Sequence, residues 1–141
     1  MDLEMTVTKR SGNKETMMFD KIVERLKKVG KRDNLKVNYS NLAMKVIDQL
    51  YDGIQTSQID ILSGEQCASM TTTHPDYGKL ASYILISNHH KNTNPSFSEN
   101  MKKLYEFRDV HDEHTPMINQ DLFNISQKYA EELESMIDYD R

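Results

Sequence analysis

Four cationic side chains surround a short polar turn near the start of a chain whose net charge is −4. Lys9, Arg10, Lys14 and Lys21 flank the Ser-Gly-Asn turn at residues 11–13. The backbone N–H groups of such a turn, with the cations and the positive end of a following helix, can surround phosphate oxygens. The same pattern also suits a solvated hairpin whose lysines serve only solubility. The phosphate-binding loop G-x-x-x-x-G-K-[ST] does not occur in the sequence.

The cations are concentrated at one end of the chain. Residues 1–36 hold ten Lys and Arg against six Asp and Glu, a balance of +4, whereas residues 37–141 hold eight against sixteen, a balance of −8. A nucleic-acid-binding protein usually spreads a basic stripe along a whole face or helix. The local excess therefore favours a small anion as the partner, and we expect no nucleic-acid partner.

A second candidate pair is Thr56 and Asp60, which lie one helical turn apart at a predicted helix start. Side chains at this spacing face the same way, so the hydroxyl and the carboxylate can receive a ribose or an adenine amino group. They can equally cap the first N–H groups of the helix, which is the simpler explanation from spacing alone.

The remaining reactive side chains give weaker signals. His89, His90 and the His-Asp-Glu-His run at 111–114 lack a partner cysteine and match no standard ligand spacing, so we predict no metal site. Cys67 falls on the apolar face of a predicted helix, which favours a buried, inert thiol over a nucleophile. No Ser-His-Asp set or carboxylate pair is visible, and we predict no catalytic residue.

Composition limits the class of protein. The 141 residues, 37% hydrophobic and 28% charged, suffice for one domain with an appendage. No apolar run approaches the length of a membrane span, and the opening MDLEMTV has no signal-peptide or transit-peptide pattern, so we expect no membrane partner. The single cysteine excludes an internal disulfide and a multi-cysteine zinc site, and a reducing cytosol or nucleus is the expected setting.

The elements that must position these side chains begin with a β-hairpin. Residues 4–10 alternate apolar and polar side chains, as a half-buried strand does, and ETMMF returns after the turn, so the hairpin is predicted over 4–19. A first helix follows, capped by Asp20 and ended by Gly30.

Three more helices are predicted after the first, each with an apolar face. They run from a cap at Ser40 to Gly53, from a capping box of Ser57 and Asp60 to about residue 70, and from a cap at Asp76 to about Lys91. In chain order, their inward-facing residues are Leu42, Ala43, Val46, Ile47 and Leu50; Ile59, Leu62, Gln66, Cys67 and Met70; and Leu80, Ala81, Ile84, Leu85 and Asn88.

A break at Pro95 separates these helices from an extension. We predict a helix at about 96–107, a polar loop, and a last helix at about 120–137. The predicted fold is therefore mainly α with a small β-hairpin cap: a four-helix unit over residues 1–95, followed by a helical extension over residues 96–141.

Four stretches share their order and spacing with a known family. They are VTKRSGNKETMMFDKI (7–22), MKVIDQLYDGIQTSQID (44–60), TTTHPDYGKLASYILISNHHK (71–91) and HTPMINQDL...IDYDR (114–141). Together they resemble the N-terminus of the class I ribonucleotide reductase large subunit of the eukaryotic and viral type; T-H-P-D-Y followed by S-N-x-H-K is the most specific part. The resemblance implies that residues 1–95 are an ATP-cone, the allosteric nucleotide-binding module of that subunit.

The resemblance also implies a ligand and a binding site. In that family ATP keeps the enzyme active and dATP shuts it down, each bound with Mg²⁺. The positions that match the family's nucleotide contacts are Lys9, Arg10, Glu15, Thr16, Met17, Met18, Phe19, Asp20, Lys21, Thr56, Asp60 and Lys91.

If these positions have the same roles as in the family, they contact different parts of the nucleotide. Glu15 would accept a hydrogen bond from adenine, because an ionised carboxylate is only an acceptor. Asp60 would couple sugar identity to output, because ATP and dATP differ by one 2′-hydroxyl and a ligand shifts an equilibrium only by its differential affinity. The triphosphate would be neutralised by four cations, Lys9, Arg10, Lys21 and Lys91.

The family further implies a reaction and partners for the parent enzyme. That enzyme reduces ribonucleoside diphosphates to deoxyribonucleotides for DNA replication, in the cytoplasm, with a radical-generating small subunit. The catalytic barrel and its cysteines are not within these 141 residues, so we expect the chain alone to be non-catalytic. Its expected partners are the rest of the large subunit, other cones in an oligomer, and the small subunit.

Two departures and one alternative accompany the resemblance. Tyr83 stands where the family often has arginine, and the segment KRDNLKVN at 31–38 differs from close relatives. The alternative is a free-standing helical module that docks on a reductase subunit without binding nucleotide. A cone-bearing transcriptional repressor would need a four-cysteine zinc ribbon, which a single cysteine excludes.

Overall fold

The computed structural model describes residues 5–139, in two compact units. The first unit ends at Lys91 and the second begins at Asn92, a few residues before the predicted division after residue 95. Glu4, placed in the first strand by the sequence pattern, and the last two residues of the IDYDR match lie outside the described residues.

A three-stranded sheet covers one side of the first unit. Strands β1 (Thr6–Thr8) and β2 (Lys14–Thr16) pair antiparallel with Val7 opposite Glu15, which confirms the hairpin. A third strand, β3 (Ile54–Gln55), pairs parallel with the other edge of β1, so the order is β2-β1-β3.

The third strand was not predicted. The second helix also ends earlier than its apolar pattern suggests. That helix stops at Ile47, and Gly53, its predicted end, has a φ of +78° in the turn that leads into β3. The carboxylate of Asp52 accepts hydrogen bonds from the N–H (2.8 Å) and the hydroxyl (2.7 Å) of Thr6. These bonds lower the pKa of Asp52. They also connect the turn to β1.

The first unit contains the four expected helices, so the mainly α fold with a small β cap is confirmed. Short 3-10 turns follow the first and third helices. The core between the helices is apolar and fully buried at Leu26, Leu42, Val46, Leu80 and Ile84. The helices are α1 (Phe19–Gly30), α2 (Tyr39–Ile47), α3 (Thr56–Ser69) and α4 (Asp76–Asn92).

Three predicted helix caps are wrong. Asn38, not Ser40, caps α2, because its side-chain oxygen accepts the N–H of Asn41. Helix α1 begins after Met18 and α3 after Gln55, in both cases without a side-chain cap. Neither the Asp20 cap nor the Ser57–Asp60 capping box forms, and the Asp60 carboxylate is buried against an arginine instead.

Gly30 ends α1, as predicted, although its φ of −78° is an ordinary helical value. The chain continues into a 3-10 turn over 31–33, and Asn34 then takes the left-handed conformation with a φ of 48°. A Cβ at position 30 would overlap the hydroxyl oxygen of Tyr39, so any larger residue there would displace that side chain.

Tyr83 and the 31–38 segment contact each other. The hydroxyl of Tyr83 on α4 donates a hydrogen bond to the carboxylate of Asp33 in the unusual 31–38 segment. This bond raises the pKa of Tyr83. This hydrogen bond therefore holds the 31–38 segment against α4.

The buried faces of α3 and α4 also differ in part from the prediction. Leu85 is 44% exposed, and it lies over Gly64, where an added Cβ would come within 2.9 Å of its Cδ2 atom. On α3, Asp60 and Ser63 are buried, whereas Leu62 is only half-buried. These polar residues can be buried because each has a hydrogen-bond partner in this part of the interior.

The second unit consists of three short helices, α5 (Phe97–Tyr105), α6 (Gln120–Lys128) and α7 (Ala130–Met136). The prediction of one last helix over 120–137 is wrong, because Tyr129, with φ −108° and ψ 26°, interrupts it. The ring of Tyr105 stacks on that of Phe123 at 4.3 Å. Within residues 5–139, no helix has both the length and the apolarity that crossing a bilayer requires.

Candidate functional site

A pocket opens in the first unit beside β1 and β2, between the first two turns of α1, the first turns of α3 and the end of α4. Its empty space is about 760 Å³, including the part open to solvent. Ten of the twelve predicted site residues line it: Lys9, Arg10, Glu15, Thr16, Met17, Met18, Lys21, Thr56, Asp60 and Lys91.

The other predicted residues lie elsewhere. Phe19 and Asp20 are exposed at the start of α1 and do not line the pocket. The turn at 11–13 and Lys14 do not line it either. Part of the turn's backbone bonds internally, since the Gly12 N–H donates to the Lys9 carbonyl at 2.9 Å. The cationic side chains next to the turn, rather than its N–H groups, therefore face the pocket.

Six lining residues were missed by the sequence interpretation. One, Arg25, is charged, and it lies four residues after Lys21, hence on the same face of α1. That spacing was the available signal for Arg25, whereas the apolar members looked like ordinary core residues. The six are Val7, Ile22, Arg25, Leu26, Ile59 and Ser63.

On the hairpin side, Glu15 pairs with two lysines. Its Oε1 atom lies 2.5 Å from the Nζ of Lys9, and its Oε2 atom lies 3.3 Å from the Nζ of Lys21. The hydrogen bonds from Lys9 and then Lys21 lower the pKa of Glu15. Glu15 is therefore ionised at neutral pH and acts as a hydrogen-bond acceptor.

On the helix side, Asp60 is the centre of a second group of charges, which we call the Asp60 cluster: Arg10, Arg25, Asp60 and Lys91. Arg25 donates from Nε to Oδ1 and from Nη2 to Oδ2 of Asp60, both at 3.2 Å. The Nη2 of Arg10 and the Nζ of Lys91 lie 3.6 Å and 3.8 Å from the same Oδ2. The Asp60 side chain is only 7% exposed, so its charge is compensated by these three cations.

Two side chains of helix α4 accept hydrogen bonds from the two arginines of the Asp60 cluster. The Nη2 of Arg25 donates to the Ser87 hydroxyl at 3.0 Å, and the Nη2 of Arg10 donates to the Asn88 side-chain oxygen at 2.5 Å. Asn88 is buried. The arginines thus connect the hairpin, α1, α3 and α4 around one carboxylate.

The lining side chains carry an excess of positive charge. Five are cationic and two, Glu15 and Asp60, are acidic, which leaves a net charge of +3. Lys91 shows the effect of this excess: burial first, and then the nearby Arg25, lower its pKa, although Asp60 opposes the shift. A bound anion would favour the charged form of Lys91, because opposite charges within a few ångströms do so.

The other reactive side chains do not join the pocket. Burial raises the pKa of the Cys67 thiol to about 12, so the thiolate is scarce at neutral pH. In the second unit, the Nε2 of His114 lies 2.8 Å from the Tyr105 carbonyl oxygen. Among residues 5–139, no three His, Cys, Asp or Glu side chains converge as metal ligands do.

The fold and the pocket together define a small helical domain, capped by a short sheet, whose pocket combines an apolar wall with a positive charge. The ATP cone domain family matches residues 5–92 of the chain, and the chain belongs to this family. ATP-cone domains are generally allosteric, nucleotide-binding regulatory domains.

The chain is similar to large subunits of ribonucleoside-diphosphate reductase from several organisms. The chain is 47% identical to the one from Caenorhabditis elegans, with 96% of this chain and 17% of the relative aligned. It is 41% identical to the one from Dictyostelium discoideum (98% and 16% aligned) and 44% identical to the one from Arabidopsis thaliana (97% and 17%). The chain thus spans about a sixth of the length of these relatives and resembles their N-terminal region.

Proposed function

We propose that the chain binds ATP and dATP, with Mg²⁺, as the activity-regulating domain of a ribonucleoside-diphosphate reductase large subunit. The observation that carries this proposal is the pocket with a net charge of +3, inside the region that matches the ATP cone domain. A nucleoside triphosphate has the complementary form, a flat base beside a compact, multiply charged anion.

The phosphates would replace Glu15 and Asp60 as the partners of four cations in the pocket. Lys9 and Lys21 contact Glu15 in the free protein, while Arg10 and Lys91 contact Asp60. Each of these four cations is partly exposed on the pocket wall and can turn toward an incoming triphosphate. Mg²⁺ would enter with the nucleotide, because it is commonly held by substrate phosphates and water rather than by an all-protein cage.

The base and the sugar would use the remaining lining residues. The adenine would lie against the apolar wall formed by Ile22, Leu26 and Ile59, with its amino group donating to Glu15. The ribose would lie near Thr56 and Asp60, at the start of α3. A 2′-hydroxyl can donate a hydrogen bond to the Asp60 carboxylate, and dATP cannot. The difference between the two effectors would arise there.

We place this domain in a larger enzyme, in agreement with its relatives. The parent enzyme would reduce ribonucleoside diphosphates to deoxyribonucleotides, with a radical-generating small subunit. Nucleotide binding would change how the cone packs against the rest of the large subunit or against other cones. The chain itself would contribute regulation and no chemistry.

Isothermal titration of the chain with ATP and with dATP, each with Mg²⁺, tests the proposal. We expect saturable binding of both nucleotides and a changed ratio of the two dissociation constants in an Asp60→Asn variant. Lys103→Gln, on α5 in the second unit, is the matched control and should bind like the wild type. A folded chain that gives no heat with either nucleotide would contradict the proposal and favour a docking module.

A further inference from the structure

Arg25 makes the strongest contact with Asp60, but the proposed binding of the nucleotide gives it no role. It contacts both carboxylate oxygens, through two hydrogen bonds of 3.2 Å. Its Nη2 also donates to Ser87 on α4. A two-point contact between guanidinium and carboxylate fixes the orientation of both groups, which a single point charge does not do.

The contacts of the Arg10 Nη2 and the Lys91 Nζ with Asp60 are longer, and Arg10 is also bonded to Asn88. Arg10 and Lys91 lie 3.6 Å and 3.8 Å from Asp60 Oδ2, beyond hydrogen-bond length, and their side chains are 31% and 41% exposed, compared with 25% for Arg25. A polyanion in the pocket would therefore attract Arg10 and Lys91 most readily. Arg25 would then be the remaining partner of a buried carboxylate, whose charge is costly without one.

We propose that Arg25 is a positioning residue, which holds the Asp60 carboxylate in a fixed orientation and so sets the discrimination between a ribonucleotide and a deoxyribonucleotide. This inference rests on the proposed function. A carboxylate offers about four acceptor sites, two on each oxygen. Arg25 occupies one on each oxygen and leaves the others to a sugar hydroxyl. Without the two-point contact, the carboxylate would turn toward other donors and meet the hydroxyl less well.

The test compares the ratio of the ATP and dATP dissociation constants among variants of the whole chain, measured by isothermal titration with Mg²⁺. Arg25→Lys keeps the charge but loses the rigid fork of donors that contacts both oxygens, and Arg25→Gln removes the charge. In both we expect the ratio to move in the same direction as in Asp60→Asn, by about 3- to 10-fold. In the double variant Arg25→Gln/Asp60→Asn we expect no further change in the ratio, because Arg25 acts through Asp60.

A matched control separates positioning from simple attraction of phosphates. Lys27→Gln removes a cation from the same helix, at an exposed residue that does not line the pocket, and should leave the ratio unchanged. Circular dichroism checks that each variant is folded, and Arg25→Lys is the variant least disturbing to Asp60.

The outcomes distinguish the inference from the proposed function. If the wild type binds both nucleotides but Arg25→Lys and Arg25→Gln weaken both equally, Arg25 is only a phosphate-attracting charge and the inference is wrong. A ratio that moves further in the double variant than in Asp60→Asn alone would also overturn it. If the wild type binds neither nucleotide, the proposed function fails, and the inference fails with it.

Discussion

The two units of the chain are both helical, but they differ in what they bury. The first unit has a continuous apolar core and a pocket whose charges come from four elements. Among residues 92–139 of the second unit, Ser126 is the one buried residue, while Ile125, Met136 and Met117 are largely exposed. Helix content alone therefore says little about stability, because helices in proteins are stabilised mainly by the packing of their apolar faces. We expect the first unit to resist unfolding and the second to open readily.

Thiol labelling should show the largest contrast. Because burial raises the pKa of Cys67 from 9.0 to about 12, the native thiolate fraction near pH 8 is lower by about a thousandfold than in an unfolded chain, and the labelling rate should fall at least as much. A cysteine placed at the exposed Ser135 of α7, in a Cys67→Ala background, is the control and should react at the rate of a free thiol. Equal rates for the two thiols would refute the contrast.

The raised pKa of Cys67 also fixes the sign of a pH effect. The thiol stays neutral in the folded state, whereas the unfolded thiol loses its proton above pH 9. Cys67 should therefore lower stability as the pH rises above 9, and a Cys67→Ala variant should lack this part of the alkaline destabilisation. Urea unfolding at pH 8 and pH 10 measures it.

Truncation of an apolar side chain should cost much more in the first unit than in the second. Leu42 is fully buried in α2, so we expect Leu42→Ala to lower the free energy of unfolding by about 2–5 kcal/mol. Met136 in α7 is 75% exposed, and Met136→Ala should change it by less than about 0.5 kcal/mol. Urea titrations followed by circular dichroism compare the two. Similar losses would mean that the second unit is packed as firmly as the first.

Removal of a pocket cation should weaken nucleotide binding in the first unit and make it less dependent on pH. We expect Lys91→Gln to raise the dissociation constant for ATP by about tenfold. In the wild type, the free protein has a lowered Lys91 pKa and a bound anion would raise it. Binding therefore takes up a proton at alkaline pH, and affinity should fall as the pH rises toward 10. A wild type with flat affinity between pH 7.5 and 10 would contradict this.

The smallest expected effect lies at the edge of the sheet. Asp52→Ala removes the acceptor of two hydrogen bonds from Thr6 and should slightly lower the urea midpoint of the first unit at pH 7. Because these bonds lower the pKa of Asp52, its contribution is present above the unfolded value of 3.8 and is lost as the pH falls through the folded value. The wild type and the variant should thus converge in acid. A difference that persists there would assign the effect to something other than the carboxylate.

Periodic patterns allowed much of the fold to be predicted, and the failures have physical causes. The hairpin and α1 carry clear apolar repeats, whereas β3 has only two residues, Ile54–Gln55, too few for any period. Asn38 and Ser40 are both good capping residues, and only the packed structure selects one. The helix break at Tyr129 could not be predicted, because no glycine or proline lies there to indicate it.

The pocket was predictable chiefly through the family resemblance. Spacing alone left the cations of the hairpin and the Thr56–Asp60 pair with two interpretations each. Arg25 was not predicted, because nothing in the sequence indicated that the carboxylate of Asp60, thirty-five residues later, would be buried against it. Long-range pairing of this kind depends on how α1 and α3 pack, which local sequence does not encode.

Hydrogen–deuterium exchange of the whole chain, with and without ATP and Mg²⁺, tests the central claim most directly, because it reports on both units at once. We predict slower exchange on ATP addition in the hairpin, the first turns of α1 and α3 and the end of α4, with no change in α5, α6 and α7. Protection that is absent from the first unit, or that appears only in the second, would contradict the account.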